Sequence, residues 1–67
     1  MIKYGKIIDY NGSSGTIVDK FGNNYILNRN NVLYENAKKN DYVSFKEEIY
    51  KTIEIEEKIA VFVNLEK

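Results

Sequence analysis

The chain has 67 residues, ten basic and ten acidic, with no cysteine, histidine, proline or tryptophan. That length supports one small domain, spanning residues 1–67, near the lower limit for a core without staples. The missing thiols and imidazoles exclude disulfide frameworks and thiolate or imidazole metal sites. No apolar run reaches the length of a membrane span or of a signal-peptide core, so the chain reads as cytoplasmic. Richness in Asn, Ile and Lys matches the composition of an AT-rich bacterial or phage genome.

Residues Ile2 to Tyr10, rich in β-branched and aromatic side chains, predict a first strand. Asn11-Gly12-Ser13-Ser14-Gly15 predicts a turn, Thr16 to Phe21 a second strand, and Gly22-Asn23-Asn24 a tight turn. Asn24 to Asn28 predict a third strand, with Tyr25 and Leu27 on one face and Ile26 and Asn28 on the other. In the polar stretch that follows, Asn30 or Asn31 is placed to cap a short helical turn, which packs Val32 or Leu33 on the barrel mouth.

Tyr42 to Ile49 or Tyr50 predict a fourth strand, with Val43, Phe45 and Glu47 on one face and Tyr42, Ser44, Lys46 and Glu48 on the other. Glu47 interrupts the apolar alternation, which predicts a rim or bulge near it. Lys51 to Glu57 fits an extension of that strand, the start of the next, or a loop. Lys58 to Leu65 predicts a fifth strand, apolar on both faces at its centre. Tyr25, Phe45 and Phe62 are assigned to the core. Five strands with one short helical turn between strands three and four predict an all-β, five-stranded Greek-key OB-fold barrel.

Several motifs sharpen this. Gly5-Lys6-Ile7, Tyr10-Asn11, Gly15-Thr16-Ile17, Tyr25-Ile26-Leu27-Asn28, Val32, Asn40-Asp41-Tyr42-Val43-Ser44-Phe45 and Ala60-Val61-Phe62-Val63 occur in order along nearly the whole chain. Together they resemble the cold-shock domain family, whose first ribonucleoprotein motif ends Gly-Phe-Ile and whose second reads Val-Phe-Val-His. The resemblance implies an OB barrel that binds single-stranded RNA or DNA by stacking bases on aromatic rings of strands two and three.

The departures from that pattern are chemical. Asp9 stands at the family's tryptophan position, and Ser14-Gly15-Thr16 replaces a motif that carries a lysine and two phenylalanines. Ile26, Asn28 and Arg29 stand where the second motif has Phe, His and an aromatic; only Tyr10 keeps a ring in register. Each stacked base contributes about 1–3 kcal/mol, so these losses predict weak or altered binding.

The candidate contacts are Lys6, Tyr10, Lys20, Arg29, Tyr34, Lys38 and Lys39. Tyr10 offers a stacking ring and Arg29, the only arginine, a guanidinium for phosphate or base. Tyr34, Lys38 and Lys39 occupy the long connection that OB domains use for ligands. Charge is uneven: seven basic residues against four acids through Lys46, then three against six. The first part favours phosphate and the last repels it.

No catalytic constellation is present: the serines have no imidazole partner, and Gly12-Ser13-Ser14-Gly15 is not followed by the Lys-Ser/Thr of a phosphate loop. Glu54, Glu56 and Glu57 lack the Asp-rich spacing of a calcium loop and read as a solvated edge. The expectation is a non-enzyme without metal or cofactor. Three roles fit: a regulatory binder of single-stranded nucleic acid, weak in affinity; a protein–protein interaction module on an OB barrel that has lost such binding; and self-association through the fifth strand or the Ile53/Ile55 stripe, giving at most a weak dimer of a monomeric chain.

Overall fold

A computed structural model describes residues 1–66. The elements are β1 (Ile2–Tyr10), β2 (Ser14–Val18), β3 (Asn24–Asn28), a 3-10 turn (Arg29–Asn31), β4 (Tyr42–Lys51) and β5 (Glu56–Leu65). The strands close a barrel in the order β1-β2-β3-β5-β4, with β4 pairing back onto β1. Among the described strand pairs β3–β5 alone is parallel, and the isolated parallel bridge Val32↔Val63 follows it. This is the five-stranded Greek-key OB barrel predicted from the strand pattern.

β1 serves two neighbours, pairing through Ile2–Lys6 with β4 and through Lys6–Tyr10 with β2. Gly5 lies where it changes partner. A Cβ there would meet Ile17 Cγ2 and the Val18 carbonyl, both at 2.7 Å. Inside the barrel Ile7, Ile17, Tyr25, Leu27, Val43, Phe45, Ala60 and Val63 form the buried core. Tyr25 and Phe45 pack edge to face with centroids 4.8 Å apart.

Two bulges decide what points outward. On β1, Ile7 pairs with Ile17 but Asp9 with Thr16, which leaves Ile8 as an extra residue. Ile8 and Asp9 therefore both face solvent, and Tyr10 returns to the core side. On β5, Val61 pairs with Lys46 and Asn64 with Ser44, so Phe62 and Val63 together oppose Phe45. Val63 is buried. Phe62 takes a left-handed backbone, φ 53°, and is 61% exposed. The core assignment of Phe62 is thus corrected: the extra residue rotates its ring out of the barrel. The rim or bulge expected near Glu47 is found there: the register shift lies between Ser44 and Lys46, the pairing with β1 ends at Lys46, and Glu47 meets Lys3 at 3.6 Å.

Other boundaries move for local reasons. The Asn11 carboxamide accepts from the Ser13 and Ser14 amides, so the first turn is tight and β2 starts at Ser14 rather than Thr16. β2 ends at Val18 rather than Phe21, because Asp19 folds 19–23 into a turn and leaves Phe21 exposed. The 3-10 turn is preceded by Asn28 with no side-chain cap, not by Asn30 or Asn31. Its first amide finds a backbone partner instead, Arg29 N–H donating to the Ser13 carbonyl. Val32 packs on the core, whereas Leu33 is exposed. β4 runs on to Lys51 and β5 begins at Glu56 rather than Lys58, with Thr52 organising the four-residue tip. Past the last β3–β5 rung at Ile59, pairing of β4 with β5 continues alone from Ile49↔Lys58 to Lys51↔Glu56, so a short two-stranded ribbon extends from the barrel.

Candidate nucleic-acid interface

The outer face of β2 and β3 follows directly from strand alternation. With Ile17, Tyr25 and Leu27 inside, Ser14, Thr16, Val18, Asn24, Ile26 and Asn28 line the outside. The face carries no ring and no charge. Its rungs Thr16↔Ile26 and Ile26↔Ile59 continue an apolar strip onto β5, and Asp9 borders it opposite Thr16. Gly15 is demanded by the close approach of β1: a Cβ there would collide with the Asp9 carbonyl and with Tyr10 Cα.

Two open clefts share Tyr10. One, about 530 Å³, runs over the strand face between Asp9, Tyr10, Asn11, Thr16 and Ile26. The other, about 550 Å³, lies at the barrel mouth between Tyr10, Gly12, Arg29, Val32, Tyr34 and Glu35. The fold therefore brings three of the sequence candidates, Tyr10, Arg29 and Tyr34, to one place. The Tyr34 hydroxyl donates to Asp41 Oδ2 at 2.9 Å, and the Lys38 amide donates to the same oxygen at 3.1 Å. Burial, the Asp41 hydrogen bond and the Asp41 charge all push the Tyr34 hydroxyl above its ordinary pKa, so it stays protonated and fixed. Tyr34 thus holds the 34–41 connection in place, which leaves the exposed Arg29 and the open side of Tyr10, partly buried against the core, to meet a ligand.

The other candidates lie elsewhere. Lys38 and Lys39 are exposed on the connection outside the cleft lining. Lys20 sits in the β2–β3 turn with its Nζ 5.2 Å from the Phe21 ring centroid. Lys6 lies on β1 with its Nζ 5.9 Å from the ring of Tyr42. No protein-family model matches the chain, and no curated protein matches it. Its chemistry has to be read from its own surface. Among the described residues, no group of three or more Asp, Glu, His or Cys gathers as a metal site, and no helix is long and apolar enough to cross a membrane.

Five exposed rings among the described residues lie outside the sequence candidates, Tyr4, Phe21, Tyr42, Tyr50 and Phe62, of which Tyr4, Tyr42 and Phe62, at 59%, 63% and 61% exposure, fall on β1, β4 and β5. Parity along β4 already puts Tyr42 on the outer face with Lys46. Tyr4 and Phe62 could be placed only once the β1–β4 register and the β5 bulge were known.

Proposed function

We propose that this protein is a small cold-shock-like OB-fold protein that binds single-stranded RNA or DNA weakly, acting in the cytoplasm as a regulatory binder rather than an enzyme. The observation that carries the reading is that Tyr10, shared by both clefts, lines the barrel-mouth cleft together with Arg29 and the braced Tyr34. OB barrels present this same side, strands two and three and the adjoining loops, to oligonucleotides. A tyrosine ring supplies a base-stacking surface, and a guanidinium beside it supplies phosphate or base contact. The ring-free face of β2 and β3 and the anionic Asp9 account for weak rather than tight association.

Titration with an octathymidylate at low and at physiological salt tests this. Amide shifts centred on Tyr10, Gly15 and Arg29 that shrink with added salt support it; an unchanged spectrum at millimolar oligonucleotide overturns it.

A second reading, a protein-interaction module, draws on the projecting β4–β5 ribbon. Ile49, Tyr50, Ile53 and Ile55 are all exposed there, Ile53 completely. Replacing Ile53 and Ile55 by serine abolishes partner capture if this reading is right and leaves oligonucleotide shifts untouched.

A further inference from the structure

The side of the barrel away from β2 and β3 is built quite differently. On the outer face of β1, β4 and β5, register places Lys6 beside Tyr42, Tyr4 beside Ser44 and Asn64, and Lys46 beside Val61. Tyr4 lies diagonally between the Tyr42 and Lys46 positions, within reach of both across the strands. Phe62 is added by the β5 bulge. Its ring lies 5.7 Å from the Lys46 ammonium, as Tyr42 lies 5.9 Å from that of Lys6.

Three exposed rings and two lysines thus occupy one surface, and the position at its centre is filled by small polar Ser44 and Asn64. Acids stay at its borders: Glu48 lies two residues beyond Lys46, and Glu66 adjoins Tyr42 through its backbone. The rings do not serve the core, since each is well over half exposed.

Phe62 adds a second, independent observation. A bulge residue with a left-handed backbone is ordinarily glycine, because a Cβ and a large side chain are disfavoured there. Elsewhere among the described residues positive φ falls on glycine or asparagine, at Gly12, Gly22, Asn36 and Asn40, the residue types that tolerate it. At the bulge the chain accepts a strained phenylalanine and turns the ring to solvent. Strain kept for an exposed ring, beside a lysine, is the mark of a side chain selected for contact.

We infer that the β1–β4–β5 face is a second platform for single-stranded nucleic acid, in which Tyr4, Tyr42 and Phe62 stack bases and Lys6 and Lys46 meet the phosphates. Alternating rings and ammonium groups match an extended strand whose bases lie flat while its backbone passes the charges. The inference rests on the proposed class of ligand but not on the Tyr10–Arg29 cleft, which faces another direction.

The test uses the full chain and octathymidylate. Expected are amide shifts at Ser44, Lys46, Phe62 and Asn64, with affinity falling about fivefold or more in Phe62→Gly. Phe62→Gly relieves the backbone, so its melting temperature stays level or rises while binding falls. Tyr4→Ser with Tyr42→Ser, both exposed, repeats the loss without touching the bulge. Shifts confined to Tyr10, Gly15 and Arg29 overturn the platform and leave the cleft reading standing; shifts confined to the platform do the reverse. Destabilisation by Phe62→Gly, or shifts that follow protein concentration instead of oligonucleotide, overturn the inference in favour of a structural ring or a contact with a second copy.

Discussion

The Tyr25 hydroxyl donates to Asp19 Oδ2 at 3.1 Å, tying the largest buried side chain to the β2–β3 turn. The same carboxylate accepts from the Phe21 and Asn23 amides and from the Asn23 side chain. One anion thereby closes a turn and anchors a core ring. The barrel end opposite the clefts depends on it.

Acid stability follows from that geometry. Desolvation alone would raise the Asp19 carboxyl, but the hydrogen bonds from Asn23, Phe21 and Tyr25 bring it from 3.8 down to about 2. A depressed folded-state pKa contributes stability above the unfolded value of 3.8 and loses it as pH falls towards about 2. Thermal melts between those limits should show a fall in melting temperature that is shallower in Asp19→Asn, which has no carboxylate to protonate.

The alkaline limb has the opposite sign. Burial, then the Asp19 hydrogen bond and the charges of Asp19 and Glu47, raise the Tyr25 hydroxyl from 10.0 to about 12. Stability from the neutral phenol is complete below pH 10.0 and is lost as pH rises towards about 12. Loss of the circular-dichroism signal should accompany ionisation of Tyr25, monitored by tyrosinate absorbance, as pH rises from 10.0 towards about 12. Tyr25→Phe removes that coupling.

Gly15→Ala and Gly5→Ala should each destabilise by about 1–3 kcal/mol, as overpacking does. The cause differs between them. At Gly15 the new methyl strikes the β1 backbone, which cannot give way; at Gly5 it meets the Ile17 side chain and the Val18 carbonyl at 2.7 Å. Denaturant midpoints measure both, and the Gly15 variant should also shift the Asp9 and Tyr10 amides.

Phe45→Ala removes a ring that is 1% exposed and packs on Tyr25. Such a truncation costs about 3–5 kcal/mol, comparable to all the stability that a core of this size supplies. The variant should be unfolded at room temperature by near-ultraviolet circular dichroism.

At the clefts, Arg29→Ala should weaken octathymidylate binding and flatten its salt dependence, since a phosphate contact is lost. Tyr10→Ala should weaken it further, by about 1–3 kcal/mol for a stacked base. Isothermal titration at two salt concentrations separates the two effects.

Much of this molecule was legible in the residues. Alternation assigned Tyr25, Leu27, Val43 and Phe45 to one side of their strands, and glycine and asparagine marked the turns, because both signals act over a few neighbouring residues. From those alone, five strands and an OB barrel followed. The bulges at Ile8 and Phe62 were not legible: whether a strand carries an extra residue depends on the partner strand's register, which only barrel closure determines. The same holds for the site. Composition and motif drew attention to strands two and three and named Tyr10 and Arg29. That Phe62 emerges into solvent and Tyr10 returns to the core side was decided by two one-residue phase shifts, because each shift exchanges inside for outside along the rest of its strand.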